Sequence, residues 1–250
     1  MIAAGRIVLL VVFLTMWEVS ARLGWVDGFL LSMPSAIALR LLELVRSGRL
    51  FGDVATTLTE TFAGLVIGAI GGIAAGAAMT FGRIVPEILE PYITTLYSLP
   101  RIALAPLFIV WFGIGMASKV AVAASMVFFL TLLSTYMGMR QTDTILLLAI
   151  KALGATPRQL LLKVRVPYAI PWIIAALKTG VGMALIGTIV GEFIASSNGI
   201  GWYISYAGGQ FDATGVMAGI VVLTVISLLL NFLVRIIERR LTNWKPDIAV

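Results

Sequence analysis

Three stretches of 20 residues or more contain no charged residue: Thr61 to Gly82 between Glu60 and Arg83, Val120 to Met139 between Lys119 and Arg140, and Ala213 to Val234 between Asp212 and Arg235. Each is at least 20 residues long, and about 20 apolar residues are what a helix needs to cross the hydrocarbon of a bilayer. Three further runs have the length but carry charge: residues 7–25 with Glu18, 91–115 with Arg101, and 172–195 with Lys178 and Glu192. Six spans with short loops fill 250 residues. The predicted class is an all-α membrane protein of six transmembrane helices, with 1–55 as a first helix plus outer segment, 56–240 as a core of five helices, and 241–250 as a tail.

The charged fraction agrees, at 12% against about a quarter in soluble domains. The chain has no cysteine and no histidine, which removes disulfides, zinc sites and any Ser-His or Cys-His catalytic pair. A non-catalytic chain without metal or cofactor is expected. The net charge of +6 reads as membrane topology rather than nucleic-acid binding. With the N-terminus inside, the inner stretches hold Arg6, Arg83, Arg140, Lys151, Arg158, Lys163, Arg165, Arg235, Arg239, Arg240 and Lys245, and the outer ones only Arg22, Arg40, Arg46, Arg49 and Lys119. Both termini are therefore expected on the cytoplasmic side of a cell membrane.

The first apolar segment resembles a signal peptide, but Trp17-Glu18 leads poorly into a cleavage site and five spans follow, so an uncleaved span is expected. Pro34 to Val45 has Arg40, Glu43 and Arg46 at intervals of three among Ile37, Leu41 and Leu44. That is the pattern of a short amphipathic helix on the outer membrane surface.

Span two carries Gly64, Gly68, Gly72 and Gly76, which share one helix face. Small-residue stripes let backbones approach closely where lipid removes the hydrophobic drive between helices. Ala176, Gly180, Ala184, Gly187 and Gly191 in span five, and Gly215 and Gly219 in span six, repeat the device. Helices that pack tightly yet slide or tilt are expected. Span three is punctuated by Pro86, Pro91, Pro100 and Pro106. Each proline beyond a first helical turn removes a backbone bond, and a broken helix at membrane depth needs protein or a water-filled path beside it. Pro100, Arg101, Pro106 and Glu192 are the candidate path residues, with Arg101 either within the membrane or snorkelling inward and Glu192 expected at the outer interface.

The longest inner loop, 140–171, has its own architecture. Leu146 to Leu153 reads as helix, Gly154 as a positive-φ helix end, Thr156 as N-cap and Pro157 as the first residue of a second helix, Arg158 to Val164, before Pro167 and Pro171 turn the chain into span five. Charge bias alone needs no such capped knob. It is expected to dock a cytoplasmic partner.

This loop resembles that of ABC importer permeases, whose pattern is Glu-Ala-Ala, three residues, Gly, nine residues, then Ile-x-Leu-Pro. Ala149, Gly154 and Pro167 match and Val164 and Val166 are conservative, while Leu148 and Ile150 replace the Glu and the second Ala. LPRIALAPLFIVWFGIGMASK (99–119), GEFIASSNGIGWYI (191–204) and ERRLTNW (238–244) are similar to the branch that imports nitrate, sulfonates, taurine and pyrimidine or vitamin precursors. The resemblance implies a type I importer fold: two permease copies, two ATPase subunits beneath them and an extracytoplasmic solute-binding protein. It also implies that Ala149, Lys151, Gly154, Ala155, Thr156, Pro157, Arg158, Leu161 and Pro167 form the ATPase-coupling element. Tyr206 to Gln210 echoes the ATPase signature Leu-Ser-Gly-Gly-Gln, but no Gly-Lys-[Ser/Thr] phosphate loop exists in the chain, so ATP is expected on the partner alone. The alternatives are an ion-coupled carrier or channel, or an intramembrane enzyme. A carrier commonly places carboxylates at midspan, whereas Glu18 and Glu192 are expected near span ends.

Overall fold

The computed structural model describes residues 2–25, 31–80 and 84–242. The expected span end at Gly82, its flank Arg83 and the tail beyond Thr242 lie outside the described residues. Every regular element among those described is helical: α1 (Ile2–Arg22), α2 (Pro34–Arg46), α3 (Arg49–Ala78), α4 (Ile84–Ser98), a 3-10 turn (Arg101–Leu104), α5 (Ala105–Phe112), α6 (Met116–Arg140), α7 (Thr144–Ala152), α8 (Pro157–Leu160), a π turn (Leu161–Arg165), α9 (Val166–Ala195), α10 (Ile200–Gly209) and α11 (Ala213–Thr242). Four of these helical stretches are long and apolar enough to cross a membrane, and α4 with α5, bent by 85°, supply a fifth as a broken span. The remaining expected span, α1, is an unbroken helix of 21 residues with a run from Ile7 to Phe13 whose side chains are all more than half exposed.

Three element boundaries differ from expectation. Helix α3 starts at Arg49, so Glu60, read as flanking charge, lies inside a helix together with Asp53. Burial of paired polar groups makes that affordable, as shown below. In the broken span, Pro91 lies within α4 without ending it, and the break falls at Pro100, whose successor opens the 3-10 turn. Pro106 sits in the first turn of α5, where no N–H is needed. The turn expected at Pro167 and Pro171 is absent: α8, the π turn and α9 run on as one 39-residue helical stretch from Pro157 to Ala195. The π turn accounts for this. Its i→i+5 bond, from the Val166 N–H to the Leu161 carbonyl, lies just where Pro167 could not donate, and such a bulge rearranges the carbonyls a proline ring would otherwise strike.

The chain divides into two compact units, residues 1–57 with 196–226, and 58–195 with 227–250. The first is built on Ile37, Leu44, Tyr203 and Ala218, with Trp17, Leu41, Leu50, Trp202 and Met217 packed around them. Polar contacts fix its connections: Arg40 pairs with Asp212 at 2.8 Å, and the Ser32 and Thr214 hydroxyls bond at 2.7 Å. Glu18 takes the Ser35 N–H at 3.0 Å and its hydroxyl at 2.8 Å. The N-terminus of α10 has no cap of its own, and Asp53 and Thr57 of α3 supply one, accepting from the Gly199 and Ile200 N–H groups at 2.9 Å each.

The second unit centres on α3, α6 and α9. Ala69, Ala123, Val127 and Ala184 form one buried cluster, and Met139, Leu161 and Ala169 another.

Candidate coupling loop and buried charge cluster

Between α6 and α9 the chain builds a small rigid knob. Asp143 caps α7 through the Ile145 N–H at 2.8 Å, and α7 closes on Gly154 at φ +88°, a left-handed conformation that costs side-chain-bearing residues but not glycine. Helix α8 then opens with a capping box: the Thr156 hydroxyl accepts from the Gln159 N–H at 3.3 Å, and the Gln159 side chain accepts from the Thr156 N–H at 2.8 Å. Pro157 occupies the first turn. Ala149, Lys151, Gly154, Thr156, Pro157 and Arg158 are exposed, Ala155 is intermediate, and Leu161 is buried. Large apolar side chains stand free on this knob, Leu153 at 87%, Ile145 at 77% and Leu148 at 62% exposure. Pro167 lies behind it, lining a groove with Leu146, Ile150 and Lys163. Because α8 runs without interruption into α9, any push on the knob acts on the end of a membrane-crossing helix.

Beside the base of the knob is a cleft of about 320 Å³ lined by Thr80, Glu87, Glu90, Arg140 and Arg165 among others. Arg165 donates to the Thr80 carbonyl at 3.1 Å, and Arg140 to the Tyr136 hydroxyl at 3.1 Å and to Glu90 at 3.5 Å.

At the break in span three, the Arg101 guanidinium turns back over the Tyr97 ring, 4.6 Å from its centroid, and lies 5.2 Å from that of Phe129. It donates to the Tyr97 carbonyl at 2.9 Å, one of the last carbonyls of α4, which lack a partner in the ladder. Arg101 therefore closes the broken helix end. Pro100 and Pro106 are exposed beside it.

Toward the opposite end of the second unit lies a charge cluster. Glu60 of α3 and Lys119 of α6 form an ion pair, both almost wholly buried, and Glu192 of α9 lies beside Glu60. Glu192 has no exposed surface, which corrects its expected interfacial placement. An isolated buried carboxylate is costly, and partners of opposite charge or hydrogen-bonding groups make it tenable. Next to the cluster, Thr61 donates to the Thr188 hydroxyl at 3.2 Å.

The glycines explain how three helices come so close. A Cβ on Gly64 would overlap the Ala123 Cβ, one on Gly68 would stand 2.5 Å from the Ala124 carbonyl and 2.8 Å from the Val127 Cβ, and one on Gly76 would stand 2.9 Å from the Thr135 Cβ. On α9, a Cβ at Gly187 would lie 2.7 Å from the Ala123 Cα and one at Gly191 3.1 Å from the Lys119 Cα. The tight packing expected of these stripes is present: each glycine admits a residue of the neighbour between its own turns. Sequence reasoning treated Glu60 and Lys119 as span flanks. The spacing held a signal, since Glu60 is one step of four before Gly64 on the same stripe.

The chain matches the family described as binding-protein-dependent transport system inner membrane component over residues 64–243. It is 34% identical to the putative aliphatic sulfonates transport permease protein SsuC of Bacillus subtilis, over 94% of this chain and 85% of that protein. It is 32% identical to the taurine transport system permease protein TauC of Escherichia coli, over 96% and 89%, and 32% identical to the formylaminopyrimidine transport permease protein ThiX of Halalkalibacterium halodurans, over 93% and 92%. A chain of the MetNI methionine ABC transporter in an inward facing conformation superposes with a TM-score of 0.67, covering 76% of this chain and 94% of that one at 22% identity, a likeness of fold.

Proposed function

The chain belongs to the family of binding-protein-dependent transport system inner membrane components, and on that footing we propose the assembly and cargo in which this membrane-embedded ABC importer permease works. Two copies of the chain form the translocation path, separate ATPase subunits bind and hydrolyse ATP, and an extracytoplasmic protein delivers the solute. The chain itself holds no nucleotide, metal or other cofactor. It lies in the inner membrane with both termini and the α7–α8 knob in the cytoplasm, in line with the excess of arginine and lysine on that side. The cargo is a small polar solute of the sulfonate, taurine or pyrimidine-precursor kind, a reading supported by the names of three relatives that align along almost their whole length. Arg101 and Glu192 are placed near the path in this reading, Arg101 favouring an anion.

The observation that carries the reading is the knob: a capped helix, glycine and helix with bare leucine and isoleucine side chains, joined without a break to a membrane-crossing helix. Exposed apolar groups of that size outside lipid mark a protein contact. ATP-driven closure of the ATPases would move α8 and α9 together as a lever. The test is uptake in proteoliposomes holding the chain, its ATPase and its binding protein. Arg158→Glu and Gly154→Pro are expected to leave ATP hydrolysis running while uptake falls at least tenfold. Uptake driven by an ion gradient in vesicles holding the chain alone would overturn the proposal.

A further inference from the structure

The contact between α3 and α6 is a ladder of evenly spaced rungs. Gly64 lies against Ala123, Gly68 against Val127, Gly72 against Thr131 and Gly76 against Thr135. Both helices advance by four residues at every rung, and on both sides the rung residues are small or β-branched. A ladder of this kind does not define its own register. If α3 moved by one rung, four residues or about 6 Å, each glycine would meet the partner of its neighbour: Gly68 would face Ala123, Gly72 would face Val127 and Gly76 would face Thr131. After such a step the glycines would again face small or β-branched residues. Discrete one-turn ratchets are an established way for packed helices to shift.

One rung has no equivalent. Glu60 and Lys119 continue the same spacing at the end of the ladder, each four residues before its first small residue, and they form the buried ion pair. A step in one direction would carry Glu60 past the start of α6 and set Gly64 against Lys119. A step in the other would bring Lys119 against Thr56, one turn before Glu60. Either way a buried ammonium and a buried carboxylate lose each other, and a broken buried pair is penalised far more than an intact one is rewarded. Gly191 of α9 packs on Lys119, so the third helix meets α6 at the same point.

We infer that the buried Glu60–Lys119 pair is a register pin: of the rungs between α3 and α6 it is the one that tells one alignment from the next, while the glycine ladder supplies the adhesion. These are positioning residues. The register is a property of the chain itself, independent of what docks on α7 and α8.

The full-length chain has no cysteine, so spin labels on Ile67→Cys of α3 and Met137→Cys of α6, both more than or about half exposed and away from the ladder, report one distance in lipid nanodiscs. With the cluster intact a single distance distribution is expected. Glu60→Leu removes the pair and is expected to add a second population displaced by up to about 6 Å, the rise of four helical residues. Glu192→Gln keeps the Glu60–Lys119 pair and is expected to remain single. If Glu60→Leu does not fold, Glu60→Gln is the milder variant, expected to show the same second population at lower amplitude. An unchanged single distance in a folded Glu60 variant, with or without a lower unfolding temperature, would reduce the cluster to a structural ion pair and overturn the inference. A second population in Glu192→Gln would place the pin elsewhere and overturn it equally.

Discussion

Gly72 stands so close to Thr131 that a Cβ on it would overlap the Thr131 hydroxyl and the Phe128 carbonyl, with the Leu132 nitrogen at 3.0 Å. Two of those atoms are backbone and cannot rotate away, so α3 would have to retreat from α6. Gly72→Leu is expected to cost at least about 3 kcal/mol, the upper end for an overpacked core. Gly180 offers the contrast, because the nearest atoms to its Cβ position are side-chain methyl groups at 3.5 Å, and Gly180→Ala is expected to stay within about 1 kcal/mol of the parent. Equilibrium unfolding in mixed detergent measures both.

The start of α10 depends on side chains from another helix. Removing the Asp53 carboxylate leaves the Gly199 N–H buried without its acceptor, so Asp53→Ala is expected to destabilise by about 1–3 kcal/mol. Asp53→Asn keeps an acceptor oxygen and should lose less. Hydrogen exchange at Gly199 and Ile200 should accelerate in Asp53→Ala and Thr57→Val, while the amides of α6 keep their protection.

The knob has two separable supports. Thr156→Ala removes half of the capping box and is expected to cost about 1 kcal/mol locally. Gly154→Ala forces a Cβ into φ +88°, at roughly 1–2 kcal/mol, although nothing lies within 4 Å of that Cβ. Exchange of the amides of residues 157–160 should rise in both variants. In the reconstituted importer, solute moved per ATP should fall in the same order.

Burial pushes the Tyr203 hydroxyl above the ordinary tyrosine range, against the opposing pull of Arg40. A raised value means that the folded chain holds the neutral phenol while the unfolded chain ionises first. Stability is therefore unaffected below about pH 10 and falls as pH rises from there toward the folded value. Tyr203→Phe removes this dependence, so its unfolding temperature should decline less steeply than the parent's between pH 9.5 and 11. An identical alkaline decline in both would show that Tyr203 does not contribute.

The helical class, the break somewhere in span three and the capped loop at Gly154 to Pro157 were legible because each rests on local chemistry: apolar runs longer than a bilayer is thick, rings that cannot donate, a glycine shortly before Thr-Pro. Proline position was less telling. Pro91 lies inside α4 without ending it, and Pro167 follows a π turn that takes up the displaced backbone, a compensation not written in the adjacent residues.

Sequence by itself determined that this chain lives in lipid, where its helices begin to fail and which loop stands out from the membrane, since these depend on the order of residues along one strand of backbone. Tertiary structure alone decided the fate of Glu60, Lys119 and Glu192. A charged residue at the edge of an apolar run can face water or a partner, and spacing cannot tell which. Glu60 and Lys119 became a buried pair because glycine-lined helices brought backbones near enough for opposite charges, 59 positions apart, to replace the water each had lost.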